Sequence, residues 1–427
     1  MSRPTPIFLA GCLLAAAGCG DGRAKPDAGE DADATTGGET TGDTGLPEPD
    51  PTLCRPISTP VADGPGSQQL ELVASRPQIP GIADQPTERG QVLGVLAAFD
   101  GRLHLGYGDY SDNTGPIAMF AWDPMPASGP ASFVDLGVLP TEEVLWFRPG
   151  FGTLYSPAID PDGHQEDGGV YRLDCGAEQW HVGTAIPGAV HVYDVAVQGS
   201  LGAETIYVGT GSLTGAPALL MASSDHGESW TEVLRRESAA DHYSRFYYVG
   251  ATAQQLFVSG RDHPAPSTAF AWLRTGDGDF EAVADLPGNS LVPVALGETM
   301  VVANFTGSPG RSLYVSSYRL EDNGGGPTLV DDNPWPVLAD GSSDLVNWTL
   351  QGEPDRLIVL MAALDGSVSI QRSASLEAGA VVWEELATLP PLADGDIYVS
   401  MALLLNDLYL GTVQGSLWAL RELEQPL

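Results

Sequence analysis

The sequence predicts an all-β domain, a closed ring of four-stranded antiparallel blades, from three observations. Beyond residue 65, short runs of alternating apolar and polar residues are separated by Gly, Pro, Asp and Asn clusters, with no sustained helical period. The runs recur at roughly 50 residues, the spacing of a propeller blade. The last recurrence stops after three strands near Leu423, while Gln69-Leu70-Glu71-Leu72-Val73 at the front is a strand without a unit. Joining the two leaves no exposed sheet edge. The expectation is a single seven-bladed β-propeller over residues 66–427, its last blade closed by the strand at 69–75. Six or eight blades also fit, because the second unit is irregular.

Within each unit the strands follow from alternation bounded by turn residues. The innermost strands are expected at Val92–Ala98, Glu143–Phe147, His191–Val197, Phe246–Thr252, Val292–Leu296, Val346–Leu350 and Ile397–Leu404. Second strands follow at Leu103–Gly106, Thr153–Tyr155, Ile206–Gly209, Leu256–Val258, Met300–Val302, Leu357–Leu360 and Leu408–Gly411. Third strands include Ile117–Trp122, Gly169–Leu173, Ala269–Leu273, Leu313–Tyr318, Val368–Arg372 and Ser416–Leu420.

The segment before the ring is of a different kind. Arg3 precedes an apolar run from Ile7 to Ala17, and Ala16-Ala17-Gly18-Cys19 follows. This resembles a bacterial lipoprotein signal over residues 1–18, too short to span a bilayer and remain there. The resemblance implies that Cys19 carries the lipid. Leu9-Ala10-Gly11-Cys12 offers a second lipobox that matches the consensus better, but its apolar core would be only about three residues after Pro6, so Cys19 is preferred. Gly20, where an inner-membrane retention signal would have Asp, leans towards the outer membrane, facing periplasm or exterior. Residues 19–65 read as an acidic tether. Ala24 to Pro51 has one Leu and no aromatic residue, which is too little apolar surface to offset chain entropy.

The formal net charge is −37, and every basic residue except Lys25 is arginine. A nucleic-acid partner is disfavoured, because phosphate binding needs a basic face. The expected partners are the membrane, through the lipid, and a glycan or protein ligand; the protein is expected to be monomeric. Cys54 and Cys175 remain outside the signal region, an even pair in an oxidising compartment. A disulfide tying the start of the domain to the second blade is expected, with two separate thiols as the alternative.

Ser223 to Trp230 reads Ser-x-Asp-x-Gly-x-Ser-Trp. Asp225 can fold back to accept hydrogen bonds from the turn, Gly227 can take a positive φ, and Trp230 can bury its ring between blades. The motif resembles the Asp-box (BNR repeat) of sialidase-like β-propellers. Weaker relics stand at Asp174 to Trp180, Gly276 to Phe280 and Ser373 to Trp383. The stretch Phe147 to Val197 also resembles a group of bacterial propellers without an assigned activity. It carries Pro149-Gly150, Asp160-Pro161, Gly169-Val170-Tyr171, Trp180 and His191-Val192-Tyr193-Asp194. Proteins of this fold host unrelated functions, so function must be argued from the site.

Propeller ligands sit in the funnel where innermost strands begin. The candidates there are Arg89, Arg148, His191 with Asp194, Arg245, Asn289, Asn347, and Asp396 with Tyr398. Arginine presents a planar fork suited to carboxylates, and the three arginines resemble the triad that grips sialic acid in sialidases. Phe147-Arg148-Pro149 loosely resembles their Phe-Arg-Ile-Pro element, but lacks the Ile and falls in the second blade. A retaining sialidase also needs a Tyr–Glu pair and an acid. Tyr155 or Tyr398 with Glu142 or Glu143 are available, with no diagnostic spacing. The alternative for each arginine is a salt bridge between blades. His191 and Asp194, three apart on a strand, fall on opposite faces unless a bulge intervenes. Asp160, Asp162 and Asp167 offer weak Ca²⁺ ligands; otherwise no cofactor is expected. The expected function is a lipid-anchored binding or scaffold module for a protein, glycan or envelope ligand; the alternative is a sialidase-like glycoside hydrolase or lyase.

Overall fold

The computed structural model describes Cys54 and residues 69–421, apart from 161–167, 212–213, 265–267, 287–290, 297–298, 307–313, 323–325, 332–343, 351–356, 363–366 and 374–381. Among the described residues the regular elements are β-strands, apart from two three-residue 3₁₀ turns at Arg76–Gln78 and Ala393–Gly395, and none forms a helix long and apolar enough to cross a membrane. The strands build a β-propeller.

Five sheets are separate four-stranded antiparallel blades. The first holds β2 (Val95–Phe99), β3 (Arg102–Gly106), β4 (Ile117–Asp123) and β5 (Ser132–Leu139). The second holds β6 (Arg148–Gly150), β7 (Thr153–Pro157), β8 (Val170–Asp174) and β9 (His181–Val182). Two more hold β18 (Leu291–Leu296) to β21 (Pro327–Asp331) and β22 (Asp344–Leu350) to β25 (Trp383–Leu389). The last joins β26 (Tyr398–Leu404), β27 (Asp407–Thr412) and β28 (Leu417–Arg421) to β1 (Gln69–Ala74), which pairs antiparallel with β28. The remaining sheet has eight strands. One half runs from β10 (His191–Gln198) through β11 (Thr205–Gly211) and β12 (Ala218–Ser223) to β13 (Thr231–Arg236). The other runs from β14 (Tyr243–Ala251) through β15 (Gln255–His263) and β16 (Thr268–Thr275) to β17 (Glu281–Ala282). The halves meet at a single pair, Gly211 with Arg245.

Innermost strands of successive units adjoin: β6 with β10, β10 with β14, β14 with β18, β22 with β26, and β26 with β2. Strand cores are apolar and buried, as at Leu103, Ile117, Leu154, Phe257, Val302, Ile358 and Leu410. Four innermost strands share one irregularity. Their register shifts at Tyr193 in β10, Tyr247 in β14, Val346 in β22 and Val399 in β26. A bulge adds one residue and re-aims those that follow.

Two innermost strands differ from expectation. The second sheet begins at Arg148, not Glu143. The backbone of 143–147 is used by neighbouring loops instead: Glu143 bridges Gly108 and Ile159, and the Val144 N–H donates to the Tyr107 carbonyl at 3.0 Å. In the first sheet, the Leu93 N–H donates to Thr412 of the last sheet at 3.1 Å, so β2 starts only at Val95.

The turn between β12 and β13 is organised by Ser223 and Asp225. The Ser223 hydroxyl donates to Asp225 Oδ1 at 2.6 Å and accepts from the Gly227 N–H at 2.8 Å. Asp225 accepts from the Ser229 N–H at 2.9 Å and the Ser229 hydroxyl at 2.5 Å. Gly227 sits at φ +91°, where a side chain would be strained. Trp230 is half-buried rather than enclosed between sheets, because it leaves the turn at its outer end. Its Nε1–H donates to the Thr184 carbonyl at 3.0 Å, on the connection from the second sheet to β10.

Candidate functional site

Arg148, His191, Tyr243 and Tyr398 open their innermost strands, so they share one end of the ring with the loop from β3 to β4. Arg89 reaches that loop from the connection before β2. Its Nη1 donates to the Ser111 hydroxyl at 2.7 Å, and the guanidinium lies 4.6 Å over the Tyr110 ring. Buried Asp109 and Glu143 each stand 3.5 Å from it.

Arg148 makes a fork-on-fork pair with Asp194, at 2.8 Å from Nε and 3.1 Å from Nη2. Its guanidinium lies 4.5 Å over the Trp146 ring. Asp194 is fully buried, and its second oxygen also accepts from the Val249 N–H at 3.1 Å. One carboxylate therefore ties β6, β10 and β14. It reaches them because the bulge at Tyr193 breaks the alternation that would set His191 and Asp194 on opposite faces.

His191 lies against Tyr193 with ring centroids 5.3 Å apart, and its Nδ1 is 2.5 Å from Asp160 Oδ1. Tyr193 meets Tyr247 at 4.7 Å, and the Tyr247 hydroxyl is 3.0 Å from His263 Nε2. Tyr243 stacks on His263 at 4.8 Å. Arg245, buried, lies 4.6 Å over Tyr243 and 5.7 Å from Tyr193. All three arginines thus face aromatic rings, an arrangement that holds a guanidinium through its weakly hydrated face. Tyr110, Trp146 and Tyr193 belong to one apolar cluster with Tyr247, Tyr248 and Ile159. The site is a set of arginine–aromatic stacks around a shared core, and the arginines are not bare cations.

The other candidates stand outside these stacks. Tyr398 sits in the core between the last two sheets, with Met401 and Leu408. Burial, and then Asp396, push its phenol up to about 12. Tyr155 is fully buried, 3.0 Å from His226 Nδ1, and burial pushes its phenol up as well. Both shifts oppose the phenolate a nucleophile needs. Glu142 faces Asn113, which in its hydrogen-bonding orientation donates at 2.9 and 3.2 Å. Asp162, Asp167 and Asn289 lie outside the described residues, as do Cys12 and Cys19, so Asp160 stands here only as the partner of His191. Cys54 and Cys175 are joined in a disulfide with Cα atoms 5.1 Å apart.

Sequence reasoning missed Tyr110, Trp146, Tyr193, Tyr243, Tyr247 and His263. The available signal was their position: each stands within a few residues of a strand start or of the loop between second and third strands.

No protein-family model matches the chain, and no curated protein does. Solved structures similar to it include the N-terminal domain of Nup159, at 14% identity and TM-score 0.43, covering 86% of this chain and 99% of that one. Sqt1 of Saccharomyces cerevisiae is similar at 12% identity and TM-score 0.43, covering 78% and 95%. An α-L-arabinanase of Penicillium chrysogenum is similar at 12% identity and TM-score 0.37, covering 66% and 94%.

Proposed function

We propose that this chain is a bacterial envelope lipoprotein, anchored through Cys19, whose propeller binds an anionic or polyhydroxylated ligand, such as a glycan, at the end of the ring where the arginine stacks lie. In this reading the eight-stranded sheet is two blades joined by the Gly211–Arg245 pair, giving seven blades, and the Ser223–Trp230 turn is an Asp-box. The acidic segment after Cys19 holds the domain clear of the lipid surface.

One observation carries the binding site: the Tyr110, Trp146 and Tyr193 rings, 4.6, 4.5 and 5.7 Å from the guanidinium groups of Arg89, Arg148 and Arg245, belong to a single apolar cluster. Guanidinium faces and aromatic rings together suit sugar hydroxyls, ring C–H groups and carboxylates. Binding is favoured over hydrolysis because Asp194 is fully buried and committed to Arg148, and Tyr155 and Tyr398 are enclosed. The test is a glycan array probed with the wild-type domain, Trp146→Ala and Tyr110→Ala. The expected result is a bound glycan class lost in both variants while each still melts cooperatively as a folded domain. Binding unaffected by both substitutions would overturn the site. Anchoring is read separately, by labelling with a clickable fatty acid that Cys19→Ala should abolish.

A further inference from the structure

The Cys54–Cys175 disulfide joins residues 121 apart in sequence. Cys175 directly follows β8, in the turn to β9, and its N–H donates to the Gly152 carbonyl at 2.9 Å. The neighbouring Gly176 N–H donates at 3.1 Å to Asp100, in the turn between β2 and β3. The disulfide therefore lies where the first and second sheets meet. Cys54 packs there against the core that contains Phe99, Leu103 and Trp180. Fifteen positions after Cys54 the chain enters β1, which closes the last sheet. The N-terminal chain is thus bonded covalently to the second sheet and by hydrogen bonds to the last, with the first sheet between them.

We infer that this disulfide is a second closure of the ring, a covalent clamp on the β1–β28 seam that makes opening of the seam dependent on redox state. β1 is a six-residue edge strand whose one partner among the described residues is β28. Glu71 and Leu72 on it are exposed. Its C-terminal side is held by the chain running into the first sheet. A strand held at one end frays from the other, since local opening there breaks few buried contacts. The disulfide holds the N-terminal side as well. β1 then stays at a high effective concentration beside β28, and each opening is followed by rapid re-pairing. Asp100 lies within 4.8 Å of both sulfurs, and its negative charge opposes an incoming thiolate. Reduction by a dithiol passes two electrons and two protons to the cystine. Two cysteine thiols result, the dithiol closes to its own cyclic disulfide, and the seam is left with its hydrogen bonds, the Glu71–Arg421 ion pair and the packing of Leu70 and Ala74. None of this depends on what the funnel binds.

The test is hydrogen–deuterium exchange on the full chain in three forms: oxidised, reduced with dithiothreitol and alkylated, and Cys54→Ser/Cys175→Ser. The expected result is exchange at least about tenfold faster over 69–74 and 417–421 in both disulfide-free forms, with 243–275 unchanged. Unchanged exchange over 69–74 would overturn the clamp, because β1 would then hold unaided. Equal acceleration in every sheet, or loss of folding in both disulfide-free forms, would also overturn it, because the bond would then stabilise the whole domain. If only the double variant fails to fold, the reduced native chain decides.

Discussion

Arg148 donates two hydrogen bonds to Asp194, at 2.8 and 3.1 Å, across 46 residues of sequence. The acceptor is fully buried, whereas the donor side chain is 28% exposed. Removing the arginine leaves a buried carboxylate whose remaining hydrogen bonds among the described residues come from backbone N–H groups, those of Val195 and Val249. Arg148→Met should therefore destabilise the domain by about 3 kcal/mol, as breaking a buried pair from one side does. Asp194→Asn in the same chain should recover part of that loss, since an amide needs no counter-charge. Urea melts of the two variants check this; a melt of Arg148→Met equal to wild type would mean that the arginine serves a ligand and not the fold.

The Asp225 turn carries a pH dependence. Partial burial opposes ionisation of Asp225, but hydrogen bonds from the Ser223 and Ser229 hydroxyls and the Ser229 N–H outweigh it and hold the carboxyl below its ordinary 3.8. A carboxyl lowered in the folded state binds more protons when unfolded, so its contribution is present above about pH 4 and is lost as pH falls through the folded value. The drop in melting temperature from pH 7 to pH 3 should be smaller in Asp225→Asn than in wild type. An equal drop would assign acid sensitivity to other carboxylates.

Trp230→Ala tests how much a half-buried ring contributes. The ring loses its bond to the Thr184 carbonyl and its packing beside Val170 and Ile186. The expected cost is about 2 kcal/mol, below that of a fully enclosed aromatic. Denaturant titration measures it. A cost below about 0.5 kcal/mol, the range of ordinary surface changes, would show that the turn closes without the ring.

Most strands were legible because period-2 alternation survives wherever one face is buried. His191–Val197 is β10 but for Gln198, and Thr153–Tyr155 lies within β7. β6 was not legible. Its three residues include Pro149 and Gly150, while the more apolar Glu143–Phe147 just before it reads as a better strand and is a buried connection. The bulges at Tyr193 and Tyr247 left no trace either, because one extra residue changes register without changing composition. The site was half visible. Arg89, Arg148 and Arg245 stand out in a chain poor in positive charge, but their partners are chosen by how sheets adjoin around the ring. Asp194 and Glu143 carry no local sign of which arginine each will meet.

Gly260 makes that dependence on close approach testable. It pairs with Phe246, one residue before the bulge at Tyr247. A Cβ built on it would lie 2.0 Å from the Arg245 carbonyl oxygen and 2.6 Å from Phe270 Cε2. Backbone cannot yield as a flexible side chain can, so β14 must shift away from β15. Arg245 and Tyr247 sit on the segment that would move, and the Gly211–Arg245 pair joining the two halves of the eight-stranded sheet lies there too. Gly260→Ala should cost about 1–3 kcal/mol, the usual range for overpacking a core. It should also disturb the stacking of Tyr243 on His263, read as altered aromatic signals in near-ultraviolet circular dichroism. The control is Gly276→Ala. There a Cβ meets nothing within 4 Å and φ is +57°, so strain acts on the turn alone. If both variants lose equal stability and neither changes the aromatic spectrum, close approach at Gly260 does not set the geometry of the arginine stacks.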